Sequence, residues 1–220
     1  MVNEVRQRIF EGRYPPGSPL RELTIAREFS VSQATVREAL QRLEHAGLVT
    51  RTANVGSTVT RLSPKEIRER VELRALLEIK AAQGAAPRLT AEDYGELQRR
   101  LDVMGQSVAT DRYYEAAQAD LAFHHYIWER SGNETLCRHL ELVTTPLFAF
   151  ISILRCQGLE RLNTVVAAHQ PLIDALRSGD AARIRAEFGS AAINPYLVFV
   201  GSGPETTFAS AFGFLEPITS

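Results

Sequence analysis

Residues 31–49 read VSQATVREALQRLEHAGLV, and their pattern decides what the first third of the chain can be. Val36, Ala39, Leu40 and Leu43 recur at helical spacing, giving one apolar stripe. Ser32 is placed to cap the start of this helix, although the capping-box position three residues on is Thr35 rather than Glu or Gln. Gly47 supplies a natural stop, so the spacing predicts a helix over 33–46. Upstream, Leu20, Leu23, Ile25, Ala26 and Phe29 mark a shorter amphipathic helix, and Ser30-Val31-Ser32 separates the two. Further upstream, Asn3 to Glu11 carries Val5, Ile9 and Phe10 at helical spacing, and Pro15-Pro16-Gly17 forces an irregular turn. Downstream, LVTRTANVGSTVTRL places β-branched residues on both sides of Asn54-Val55-Gly56, the pattern of a two-stranded hairpin. Helix, turn, helix, hairpin is the order of a winged helix-turn-helix, whose second helix enters the DNA major groove. Gln33, Ala34, Thr35 and Arg37 fall on the exposed start of that helix, where side chains reach base edges and phosphates.

Bulk composition agrees with a globular chain. Of 220 residues, 45% are hydrophobic and 23% charged, so the chain can be one large domain or two ordinary ones. The longest apolar run, Pro146 to Leu154, is too short to span a bilayer, so no membrane association is expected. MVNEVRQRIFEGR lacks the apolar core of a secretory signal. Cys137 and Cys156 have no CxxC spacing and suggest a reducing cytosol without a disulfide framework. The expected location is therefore the cytoplasm. The net charge of −1 hides an asymmetry: residues 1–62 hold nine arginines against six glutamates, a net of +3, and the remainder is net −4. A mildly basic leading segment suits contact with a polyanion.

The stretch GRYPPGSPLRELTIAREFSVSQATVREALQRLEHAGLVTRTANVGSTV resembles the winged-helix module of GntR-type bacterial transcription regulators. The likeness covers about residues 1–62 and includes the turn, both helices and the wing. It implies that Arg21, Gln33, Thr35, Arg37 and Gly56 occupy DNA-contacting positions, with Arg37 and Arg21 contributing most of the affinity. The family commonly has arginine where this chain has Gln33. Arginine reads guanine bidentately, whereas Gln33 suits adenine, a phosphate contact or none. The implied partner is a pseudo-palindromic double-stranded operator, bound by a homodimer whose two-fold axis matches that of the DNA.

From Ser63-Pro64 to about Ala192 the pattern is helical throughout, with breaks at Pro87–Thr90, Ala109–Asp111, Ser131–Asn133, near Gly158 and at Gly179. The spacing predicts about six helices in a bundle, so the fold class is mostly α: a winged helix-turn-helix over 1–62, then an all-α domain over 63–194. Residues 195–220 lose helical periodicity and are given no structure. Asp120 and His124 are four apart and share a helix face, while His125 points elsewhere. Phe123, Tyr126 and Trp128 read as bundle packing, and Asn133 as the cap of the next helix.

VELRALLEIKAAQGAA, DLAFHHYIWERSGNETL and AAHQPLIDALRSGD resemble successive segments of the FCD-type effector domain that follows the winged helix in one large GntR branch. That resemblance implies an aspartate and three histidines facing the bundle interior around a divalent metal, with a small carboxylate effector bound beside it. Asp120, His124 and His169 match three of these ligands, and Ala191 stands where the fourth is expected. Three readings stay open. The three residues hold Zn, Ni, Mn or Fe with open positions for water and effector, Glu187 adding an oxygen from one turn before Ala191. Alternatively the polar cluster and Arg74 bind an organic or sugar acid without metal, or Asp120 and His124 are simply a buried pair. The functional expectation is a regulator, of repressor type, whose operator affinity is set by that effector. The alternative is a metal-dependent enzyme acting on a small carboxylic acid through Asp120, His124 and His169. Against it, the chain has no nucleophile motif, phosphate loop or cofactor fingerprint.

Overall fold

The computed structural model describes residues 1–53, 56–157 and 163–197. Helix α1 spans Val2–Phe10, α2 Glu22–Glu28 and α3 Gln33–His45. Strands β1 (Val49–Thr52) and β2 (Gly56–Val59) pair antiparallel, with Val49 opposite Val59. The expected turn residues Asn54 and Val55 lie outside the described residues. Ser32 Oγ accepts the amide of Thr35 at 3.1 Å and caps α3, and Gly47, at φ +74°, lets the chain leave it. Val36, Ala39, Leu40 and Leu43 are all buried, as the stripe requires. Leu23 is not: α2 has only two turns, its core residues are Ile25 and Ala26, and Leu23 is 48% exposed.

The helical body follows as α4 (Pro64–Ala85), α5 (Ala91–Ala109), α6 (Tyr113–Arg130), α7 (Glu134–Cys156), α8 (Asn163–Ala167), α9 (Gln170–Ser178) and α10 (Ala181–Ile193). Ser63 and Glu66 cap α4 reciprocally, and Asn133 Oδ1 caps α7 by accepting from the Leu136 amide. The described residues therefore form seven helices here, not six. The added break falls at Ala168–His169, because Pro171 offers no N–H to the carbonyl four residues back. The expected break near Gly158 lies outside the described residues. Val71, Ala75, Leu97, Phe123, Ile127 and Phe188 are among the side chains that fill the body's core. Among the described residues α7 alone is long and apolar enough to cross a membrane by length and composition, yet 67% of its apolar window is packed inside the molecule. It is the core helix of the bundle.

Two contacts join the module to the body through α7. Pro146 interrupts that helix and leaves the Leu142 carbonyl without its usual amide, and Arg70 of α4 donates to it at 3.3 Å. Gly47 sits against this point so closely that a Cβ there would lie 3.0 Å from Pro146 Cγ. Phe148 and Ala149, one turn on, are buried together with Ile9, Phe10, Leu43 and Leu48 of the winged helix.

The α5–α6 pair rests on one carboxylate. Asp93 accepts from the Thr90 amide and hydroxyl, from Tyr126 Oη at 2.7 Å and from Arg130 Nε at 2.7 Å. The Thr90 amide first, then Tyr126 and Arg130, hold its carboxyl well below the usual range. Asp93→Ala is expected to cost about 2–3 kcal/mol in urea unfolding, from a lost cap and lost charge-assisted bonds. Because the folded pKa is depressed, Asp93's contribution is complete above its unfolded value of about 4 and fades as pH falls below that. Asp93→Asn should therefore flatten the acid limb of the stability profile; an unchanged limb would remove Asp93 from it.

Candidate functional site

α6 presents Asp120 and His124 inward, and the helix break before Pro171 places His169 as the N-cap residue of α9, facing them. All three are at least 93% buried. His169 Nε2 lies 3.1 Å from Asp120 Oδ1, and His124 Nε2 lies 3.6 Å from the same oxygen. One candidate ligand atom from each residue falls within 4.8 Å of the others. The outer nitrogens also have acceptors. His169 Nδ1 donates to the Val165 carbonyl at 2.7 Å, and His124 Nδ1 lies 3.3 Å from Glu78 Oε2. The second contact lacks hydrogen-bond alignment, so both of its atoms are buried without a partner. A small rotation of the imidazole would complete it. His169 Nδ1 is committed to Val165, so its Nε2, which donates to Asp120 here, is the nitrogen that would give up its proton to a metal, and His124 presents its own Nε2 to the same oxygen. The residues fit a divalent cation.

Electrostatics bind these groups together. Burial disfavours charge on Asp120, but His169 and His124 outweigh it and the carboxyl is held low. Burial likewise opposes charge on His169, and Asp120 overrides it and raises the imidazole. Burial raises Glu78 as well, and Arg74 and His124 bring it well down. Arg74 Nε bonds Glu78 Oε1 at 3.0 Å, and its guanidinium lies 4.9 Å from the Phe148 ring centre. Arg74 is therefore a buried residue paired within α4.

Arg74, Asp120, His124, Phe148 and His169 line a cavity of about 610 Å³ whose far walls come from α7, α10 and the turn after α10, with Glu78 behind His124 and Arg74. Glu187 and Ala191 both line it, so Ala191 brings a methyl group where the fourth ligand was expected. Tyr196 closes it at 2% exposure, which brings the start of the aperiodic tail into the site; residues 198–220 lie outside the described residues. Glu78, Phe148, Arg155 and Tyr196 were not singled out from sequence. His125 faces elsewhere, beside Glu129 and Trp128. Phe123 packs its edge against His169 at 4.8 Å between ring centres and is buried with Tyr126 and Trp128.

In the winged helix Arg21, Gln33, Thr35, Arg37 and Gly56 are all exposed. Arg21, Arg37 and Gly56 border one groove between α2, α3 and the hairpin, joined there by Arg51 of β1, which sequence reasoning missed. Arg37 holds Glu22 with Nε at 3.1 Å and a terminal nitrogen at 2.8 Å. Thr35 lies outside that groove, and its hydroxyl is 2.9 Å from that of Ser32.

The sequence matches the family described as "Bacterial regulatory proteins, gntR family" over residues 1–59 and the "FCD domain" over residues 69–189. The chain belongs to the GntR family, in its FCD-containing branch. Relatives of this GntR–FCD protein include the "Probable D-xylose utilization operon transcriptional repressor" of Paenarthrobacter nicotinovorans. It is 30% identical over 176 residues, 78% of this chain and 75% of the relative. The "Gluconate operon transcriptional repressor" of Bacillus subtilis is 34% identical over 56% of this chain and 51% of its own. In fold, the chain is similar to E. coli McbR/YncC, with a TM-score of 0.76 at 21% identity, covering 90% and 94% of the two chains. The family and these relatives are transcriptional regulators of operons rather than enzymes, so the alternative of a metal-dependent enzyme is set aside.

Proposed function

We propose that this GntR–FCD protein is a cytoplasmic operator-binding repressor whose DNA affinity is set by a small organic or sugar acid in the helical cavity. The observation that carries this reading is the Asp120–His124–His169 cluster, buried and lining that cavity. A divalent metal would be held by Asp120 Oδ1 and the two Nε2 atoms, and when bound it would offer Lewis-acid coordination to the effector's carboxylate. Val165 orients His169, Glu78 Oε2 stands 3.3 Å from His124 Nδ1, and Phe123 packs against the His169 ring. Glu187 reaches the cavity from the face that carries Ala191 and supplies a further oxygen, and Arg74 faces the effector from α4.

The cavity's Phe148 is shared with the winged helix's core, so an occupant that moves α7 shifts the seat of Gly47 and α3. Arg21, Arg37 and Gly56 meet DNA in one groove, with Gln33 and Thr35 at the start of α3. The operator is two-fold, and a second copy covers Leu73 and Leu76, one turn apart on α4, and Leu142 on the adjoining α7. All three leucines are more than 40% exposed.

A thermal-shift screen of small organic acids, with and without zinc or manganese, tests ligand class and metal dependence together. An acid whose shift grows with metal is the expected result; no shift from any acid would overturn the reading. Glu78→Gln keeps the side-chain shape but weakens the hold on His124. It is expected to lower zinc affinity about 10- to 100-fold in a chelator competition, and equal affinity would remove Glu78 from the site.

A further inference from the structure

Among the described residues, one charge on the cavity wall has no hydrogen-bonded or ion-paired partner. Arg74 is bonded to Glu78, and Asp120 to His169, which closes two pairs of opposite sign. Arg155, near the end of α7, lines the same cavity and is 7% exposed. Among the described residues it has no hydrogen-bond or ion-pair partner, and its Nε is buried without an acceptor. Asp120 and Tyr196 feel its charge only through space. Glu187, the remaining carboxylate on the wall, is partly exposed and makes no ion pair with it. A buried cation without a partner costs several kcal/mol in general, and a protein keeps one where a ligand supplies the counter-charge.

We propose that Arg155 is the specificity-determining residue of this pocket. It receives a second anionic group, carboxylate or phosphate-like, of an effector whose first carboxylate lies at the Asp120–His124–His169 cluster. This rests on the effector reading above and narrows it from organic acids in general to two-ended acids. Phe148, Ile151 and Arg155 line the cavity along one face of α7, so the backbone at Arg155 stands about two turns, or roughly 10 Å, along the helix from the residue beside His124. An acid with a short carbon chain between its two anionic groups could therefore engage both the cluster and Arg155 within the one cavity.

Calorimetric titration of the full chain, zinc-loaded and zinc-free, with matched acids is the test. Butanoate and hexanoate carry one carboxylate, succinate and adipate carry two, and 3-phosphonopropanoate has a phosphonate at its second end. Wild-type protein is expected to prefer a two-ended acid over its one-ended match by about tenfold, the value of one charge-assisted pair. The preferred probe tells a carboxylate from a phosphate-like second group. Arg155→Met should abolish the preference, Arg155→Lys should keep part of it, and zinc content by elemental analysis should not change. Without ligand, Arg155→Met should raise the unfolding temperature by about 2–4 °C, because an unpaired buried charge is removed; a merely structural arginine would lower it. A preference that survives Arg155→Met, or a falling unfolding temperature, overturns the Arg155 assignment and leaves the effector pocket standing. If no acid binds the wild-type chain in either metal state, both readings fall.

Discussion

Arg37→Ala is expected to weaken binding of the chain to the duplex upstream of its own gene by about 5- to 150-fold. That range corresponds to the 1–3 kcal/mol of one good arginine contact. Arg37 stands on the exposed first turns of α3, in the groove it shares with Arg21, Arg51 and Gly56. Glu22 already engages it, but Arg37 is 60% exposed and such a surface pair contributes at most about 1 kcal/mol. Transfer to a phosphate or a base edge therefore wins. Arg37→Lys keeps the charge and loses the planar fork, so its loss should be intermediate if the contact is to guanine and small if it is to phosphate. In the phosphate case the slope of log affinity against log salt also falls by about one. Fluorescence anisotropy on the labelled duplex reads all of this. Unchanged affinity in Arg37→Ala would displace α3 as the reading helix.

The second large effect falls on the cluster. Zinc at about 100 times its Kd should stabilise the wild-type chain by about 2.7 kcal/mol, or roughly 5–10 °C in unfolding temperature. His169→Ala removes one of three ligands and should lose most of that shift. It also leaves Asp120 buried without its nearest partner, so the zinc-free variant itself should unfold earlier. The increment caused by zinc, not the starting temperature, is the diagnostic quantity. A variant that keeps the full increment would place the metal elsewhere.

The winged helix was legible because its signals are local. The Val36–Leu43 stripe, the Ser32 cap and the Gly47 stop are all set by residues within a few positions of one another. Asp120 and His124 were legible for the same reason, being four apart on one helix, while His169 joined them only through the resemblance. What escaped depends on tertiary placement. Arg155 reads in sequence as a basic residue in the last turn of an apolar helix, where the helix dipole alone justifies it. Glu78 is one acidic residue among several on α4, and nothing nearby marks it as the one facing His124. Tyr196 follows Pro195 in a stretch without periodicity, so its burial could not be inferred. The separation of the five-residue α8 from α9 was not legible, because Pro171 acts from two residues beyond the break.

The central claim, that the helical cavity controls the winged helix, is tested most directly by one titration. The affinity of the chain for its upstream duplex is measured by anisotropy with and without an organic acid whose thermal shift is lost in His169→Ala. Such an acid is expected to change the operator Kd at least about fivefold, the lower end of ordinary allosteric coupling, and to change nothing in His169→Ala. An acid that occupies the cavity and leaves the operator Kd unchanged would contradict the claim.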